Sequence, residues 1–351
     1  MPIATADFWL GFMSSEANHQ PPEFAKHWAK ELGSSEKSLV QLQGGINNRV
    51  FRCGEAHNQW VIKGYAPLDT NQRNCMRAEV EFLRYAQLVA PGRTPELIEI
   101  DNERRCVVLE YINGKSYTEG ESPSLDDQQE ALSFFHELNT QKEAAKELIT
   151  MDASEGFLRL TEHMDNIYWR IESMDVSHLP INLINTTDKL INTLNQKAHH
   201  LEKYLHALLV SGEVIDALDP NLCCVSPSDF GFHNALKTPK GIKFIDFEFA
   251  GWDDPAKAEA DFFLQPKIPV NKNIIFLFSG WLKNSNHEIK SRLNILSHLL
   301  HFKWICIILG VLNPNRLQKI LSLNEELNIE ELVRNRIILA TNYLSDFREP
   351  P

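Results

Sequence analysis

Long apolar runs are missing from this 351-residue chain: the longest charge-free apolar stretch, Trp304 to Leu312, is half of what a membrane-spanning helix of roughly 20 residues needs. Paired cysteines are missing as well. Cys53, Cys75, Cys106, Cys223, Cys224 and Cys306 are scattered, with no CxxC pair to suggest zinc or thiol-redox chemistry, and read as free thiols in a reducing compartment. Glycine (16) and proline (17) are too few for a collagen-like or linker-type chain. Basic residues are in deficit. With 35 Lys and Arg against 47 Asp and Glu the net charge is −12, whereas a phosphate-backbone binder relies on positive excess. The first residues, MPIATADFWLGFMSSE, lack the basic start and apolar core of a signal peptide. A cytoplasmic protein with no nucleic-acid or membrane partner is expected; the oligomeric state is left open.

What is present is a globular composition, 43% hydrophobic and 23% charged, in a chain long enough for about two domains. Short helices are expected over 6–13 and 22–32. From Leu39 to Ile112 the pattern turns to strands: SLVQLQ, RVFRCG, QWVIKGY, PELIEI and RCVVLEYI, mostly joined by hairpin-length turns, which predicts an antiparallel sheet. One helix, about 73–88, interrupts them. Its apolar stripe runs through Met76, Val80 and Leu83, with Glu79 at the stripe's edge and Glu81 on the opposite, solvent side. After Gly114 helices dominate. Ser124 and Asp127 form a capping box for a helix over 125–148, and further helices are expected over 156–173, 186–210, 272–282, 287–312 and 325–344. Segregated strands and helices mean α+β rather than alternating βαβ units.

A single β-like insertion in the helical part carries the chemistry. SDFGFHN places Asp229 five residues before Asn234, and IDFEF places Asp246 and Glu248 after an apolar strand. Phosphoryl transfer from a nucleotide uses such a set, a carboxylate beside the acceptor hydroxyl and an amide with a carboxylate to hold magnesium on the phosphates. A DxxxxN spacing alone is usual in surface turns. Its meeting with IDFE across a TPKG turn is what points to a site. In VIK, Lys63 sits on a strand with its ammonium free to reach phosphates; an isolated strand lysine is ordinarily solvated, but Glu79 on the next helix is placed to pair with it. The turn GGINN, with Gly44, Gly45 and Asn48, can approach phosphates closely where side chains are absent. In LEYING, backbone groups of Glu110 to Ile112 are placed to read an adenine edge.

The succession GGINNRVFR, VIK, RAEVEFL, LEYING, SDFGFHN and IDFEFAGWDDPAKAEADFF, from about Leu39 to Phe263, resembles the aminoglycoside phosphotransferase and choline kinase-like family. The resemblance implies a protein-kinase-like two-lobed fold: a helical extension over 1–38, a nucleotide-binding antiparallel-sheet lobe over 39–112, and a helical lobe over 113–351 with the catalytic loops and acceptor site. It implies Asp229 as catalytic base, Asn234 and Asp246 as Mg2+ ligands with Glu248 as a further acidic candidate, Lys63 on the α- and β-phosphates of ATP or GTP, Glu79 orienting that lysine, and Asp261 bracing the catalytic segment. The chain departs from the family where His-Gly usually precedes the catalytic Asp: here the residues are Pro227 and Ser228. The leading expectation is a small-molecule kinase acting on a hydroxyl acceptor. A nucleotide-binding module without turnover and a metal-dependent hydrolase are the alternatives. Trp169 with Tyr168 is either a platform for a sugar or quaternary ammonium or ordinary packing.

Overall fold

The computed structural model describes residues 20–42, 48–55, 58–68, 73–271, 287–323 and 327–350. The helices expected over 6–13 and 272–282, and the glycines Gly44 and Gly45, lie outside the described residues. The described residues group into two compact units. The first comprises residues up to Ser154 with Cys224–Trp252 and a short stretch from Lys267; the second comprises Glu155–Cys223, Asp253–Pro266 and the helices from His287 onward.

In the first unit, β1 (Val40–Leu42), β2 (Asn48–Glu55), β3 (Asn58–Tyr65), β4 (Leu97–Asp101) and β5 (Cys106–Glu110) form an antiparallel sheet in the order β1-β2-β3-β5-β4. The register sets Lys63 between Val50 and Val107 at the middle of the sheet. Helix α1 (Glu23–Glu31) lays Phe24, Trp28 and Ala29 on Cys53 and Ile62. The approach is so close that a Cβ on Gly64 would stand 2.3 Å from the Phe24 ring. Helix α2 (Cys75–Val89) starts on an Asn74 cap and buries Met76, Val80 and Leu83, the expected stripe.

Helix α3 (Leu125–Leu138) begins with the Ser124–Asp127 capping box. The pattern suggested one helix to residue 148, but the chain breaks at Asn139 before resuming as α4 (Lys142–Leu148). The reason is tertiary. The Asn139 carboxamide donates to the Val225 carbonyl at 3.0 Å and accepts the Val225 N–H at 2.9 Å. Val225 lies in β7 (Cys224–Ser226), three residues before the SDFGFHN segment. A second small sheet joins β6 (Lys115–Ser116) to the hairpin of β8 (Ala235–Thr238) and β9 (Gly241–Phe244), and β10 (Gly251–Asp253) pairs with β7.

The second unit is helical: α5 (Leu160–Glu172), α6 (Ile181–Ser211), α7 (Pro255–Leu264), α8 (His287–Ile308), α9 (Pro314–Leu323) and α10 (Ile329–Asp346). Helix α9 was not anticipated. By length and composition His287–Leu312 would suffice to cross a membrane, yet most of it is buried within the unit. Two of its charges, Arg292 and Lys303, are buried in ion pairs. Arg292 meets Asp254 at 2.8 Å and Lys303 meets Asp261 at 2.9 Å, while Lys257 on α7 meets Asp253 at 2.8 Å. Asp261 also accepts the Trp304 indole N–H.

Candidate functional site

The site grows from β3, where alternation sends Lys63 and Tyr65 to one face. The Lys63 ammonium is buried and lies 2.5 Å from Glu79 Oε2 and 2.6 Å from Asp246 Oδ1. Glu79 is only 1% exposed and also accepts the Tyr65 hydroxyl at 2.6 Å. Burial alone would lower the lysine's pKa; the Asp246 and Glu79 carboxylates overcome it and hold the group well above its ordinary value, firmly cationic. Tyr65, missed in the sequence, was legible there as the next residue on the lysine's face.

Glu81 departs from the expected solvent position. It is half-buried, held by Arg77 at 2.6 Å and by the Thr150 N–H at 2.8 Å, and these bonds pull its pKa down against burial. Helix phase separates Glu79 from Glu81, but the phase could not show that residues near 150 cover the far side. Arg73, before α2, donates to the carbonyls of Asp152, Glu248 and Ala250, pinning the segment after Asp246. No local pattern announces that clamp.

Asp229 and Asn234 flank a tight turn. Phe230 packs among Phe134, Phe135 and Phe244, and Phe232 against Tyr117, so the intervening residues have a rigid footing. The Asn234 amide donates to Asp229 Oδ2 at 3.0 Å and to its carbonyl at 3.1 Å, which leaves the Asn234 side-chain oxygen facing elsewhere. The Asn234 carbonyl accepts the Ile245 N–H at 2.9 Å, so the β8–β9 hairpin brings Asn234 alongside Asp246. Ser228 has φ +64° and Asp246 φ +67°, both left-handed in residues that carry a Cβ. Such conformations cost about 1–3 kcal/mol each and persist where surroundings dictate them. The Ser228 hydroxyl donates to the Ser154 carbonyl and its N–H to Ser226 Oγ. These are the bonds that support the loop where the family usually has His-Gly.

Glu248 is turned to Asn48, whose side-chain amide donates to it. Burial, with the Asp246 carboxylate nearby, lifts Glu248 to about 8. The Glu110 N–H is committed to the Glu96 carbonyl at 2.9 Å and its carboxylate to Lys243, whereas the Ile112 N–H meets no acceptor among the described residues. Thus Lys63 is in direct contact with both Glu79 and Asp246, Asp229 with Asn234, and Asn48 with Glu248. Trp169 is partly exposed with Arg170 over its ring, and the Tyr168 hydroxyl donates to Glu202.

Magnesium fits this donor set. Asp246 is 34% exposed with one oxygen on Lys63 and the other available, and Asn234 offers its carbonyl oxygen. One or two such hard oxygens, completed by phosphates and water, are what Mg2+ takes in nucleotide sites.

A family model described as the phosphotransferase enzyme family matches residues 38–257. Among solved structures, the chain is similar to the choline kinase LicA from Streptococcus pneumoniae (17% identity, 92% of this chain and 98% of that one, TM-score 0.55). It is similar also to a spectinomycin phosphotransferase in complex with ADP and spectinomycin (12%, 87% and 93%, TM-score 0.56), and to a choline/ethanolamine kinase family protein from Mesorhizobium loti (17%, 92% and 95%, TM-score 0.52). No curated protein sequence matches significantly. At these identities the likeness shows the fold, which is protein-kinase-like α+β.

Proposed function

Since the chain belongs to the phosphotransferase enzyme family, we propose that it is a small-molecule kinase that transfers the γ-phosphoryl group of ATP or GTP to a hydroxyl of an aminoglycoside, sugar or amino alcohol. The observation that carries the nucleotide assignment is the Lys63 ammonium held between Glu79 and Asp246. A lysine so fixed can engage phosphates without first paying to be ordered, and a lysine–glutamate pair of this kind is required in kinases of known mechanism. Nucleotide binding falls to the sheet of residues 39–112, with Ile112 N–H as donor to the base and Gly44 and Gly45 near the phosphates. Acceptor binding falls to the helical remainder.

In this reading Asn234 and Asp246 hold Mg2+, which when bound neutralises charge on the phosphates. Glu248, engaged by Asn48, is a further carboxylate candidate for the metal. Asp229 accepts the proton of the acceptor hydroxyl as it attacks. Lys63 stabilises the departing phosphate charge, and Glu79 with Tyr65 keeps the lysine in place. Because the transferred group passes through a loose transition state, most of the rate comes from positioning and electrostatics.

The test is nucleotide-dependent stabilisation followed by an acceptor screen. Millimolar MgATP or MgGTP should raise the melting temperature, and purified protein should move labelled phosphate to one member of a panel that includes choline, ethanolamine, spectinomycin and simple sugars. Failure of both nucleotides to stabilise the protein would overturn the reading.

A further inference from the structure

We infer that His233 is a positioning residue for Asp229: its imidazole fixes the orientation of the carboxylate that takes the acceptor's proton. This rests on the proposed phosphotransfer reading for its kinetic meaning, but the contact itself stands independently. His233 Nε2 lies 3.0 Å from Asp229 Oδ1, and the histidine side chain is 4% exposed. A carboxylate oxygen has only lone pairs to offer, so Nε2 carries the hydrogen and donates it.

The opposite oxygen is occupied too, because the Asn234 amide donates to Oδ2 at 3.0 Å. The last torsion of an aspartate is broad and poorly fixed by its own rotamer preferences. Two donors, one on each oxygen, remove that freedom. Both come from one short turn, Phe232–Asn234, which is bolted down by the fully buried Phe232 ring against Tyr117. On its other side Asp229 is entered through Ser228 in a left-handed conformation, with the Asp229 N–H on the Pro227 carbonyl at 2.8 Å. The backbone entry sets where the carboxylate stands; the His233–Asn234 pair sets which way it faces. Asn234 cannot do this alone, since its amide is shared with the Asp229 carbonyl and its side-chain oxygen is assigned to the metal. A carboxylate free to rotate would meet the acceptor hydroxyl in the wrong plane for part of the time, and misplacement of about an ångström can cost on the order of 10²-fold in rate.

The experiment compares His233→Ala, His233→Gln and wild type, with Asp229→Asn as reference. A glutamine amide nitrogen can stand where Nε2 stands; alanine offers no donor. With labelled MgATP and the best acceptor from the panel above, or water where ATP hydrolysis is the measurable turnover, His233→Ala should lower kcat by about 10- to 100-fold. The KM for ATP and the MgATP thermal shift should stay within about twofold, and His233→Gln should recover most of kcat. A merely structural role would move KM and the thermal shift along with kcat and would show no rescue by glutamine. Either result, or an unchanged kcat in His233→Ala, overturns the inference.

A second measurement does not depend on turnover. In ¹⁵N-histidine-labelled protein, the resonances lost in His233→Gln should show hydrogen on Nε2 and should shift in Asp229→Asn. Hydrogen on Nδ1 only, or no response to Asp229→Asn, refutes the contact whatever the activity. Absence of phosphotransfer to any acceptor or to water in wild type, with the nitrogen signature intact, would overturn the proposed function and leave the positioning of Asp229 standing as geometry alone.

Discussion

Replacing Lys63 with methionine removes the cation between two carboxylates and leaves Glu79 buried with the Tyr65 hydroxyl as its remaining partner among the described residues. Breaking a buried pair by removing one partner costs about 3–5 kcal/mol, because the remaining charge is uncompensated. Glu79→Gln should cost less, about 1–3 kcal/mol, since Lys63 keeps Asp246, which is partly exposed and needs less compensation. In the double variant Lys63→Met with Glu79→Gln neither buried charge remains. Its cost should therefore fall short of the sum of the singles by about 1–3 kcal/mol. Urea unfolding of these three variants and wild type without nucleotide gives these values, and repeating it with MgATP, with Glu81→Gln added as a control, shows which variants still gain stability from nucleotide. Lys63→Met should lose most of that gain and Glu79→Gln part of it, with Glu81→Gln close to wild type. Strict additivity of the singles would mean that the ammonium and carboxylate are not coupled, and the argument for Lys63 as the nucleotide's anchor would fail with it.

Asp229→Asn should keep MgATP binding, measured by calorimetry, and lower turnover by about 10²- to 10⁴-fold, the usual worth of a positioned general base. Asp246→Asn should instead weaken magnesium-dependent nucleotide binding, because an amide lacks the charge that holds the metal; the reverse pattern would exchange the two roles. Glu259 on α7 is buried with neither carboxylate oxygen hydrogen-bonded among the described residues, and burial raises it from 4.5 to about 7. Between those values the folded protein keeps a proton that the unfolded chain has released, so stability falls as pH rises through that window and the loss is complete above it. Relative to Glu259→Gln, the wild type should lose about 2.5 kcal/mol of unfolding free energy between pH 5 and pH 8. A difference that does not vary with pH would show that the carboxyl is solvated. Asn139→Ala should cost about 2–3 kcal/mol in thermal or urea unfolding, since it strands both the N–H and the carbonyl of Val225; a cost below 1 kcal/mol would show that water replaces the carboxamide.

Local pattern by itself determined much here. The antiparallel strands, the buried stripe of α2 and the Ser124 capping box follow from residue periods and caps, which act over a few residues and are therefore visible in the sequence. Helix phase separated Glu79 from Glu81 for the same reason, and the order of motifs identified the residues that converge on Lys63 and Asp229. What the sequence could not determine depends on partners far along the chain. Asn139 breaks a helix that propensity would continue, because Val225 claims both ends of its amide. Glu81 is drawn out of solvent by Thr150, and Arg73 spans three carbonyls from two separate segments. Ser228 and Asp246 adopt left-handed backbones that their own preferences oppose. His233 stood beside Asn234 in plain view, yet only the turn that folds it back onto Asp229 gave the imidazole a role. These are choices made by packing and long-range hydrogen bonding, whose energies exceed local preference only once the chain has folded.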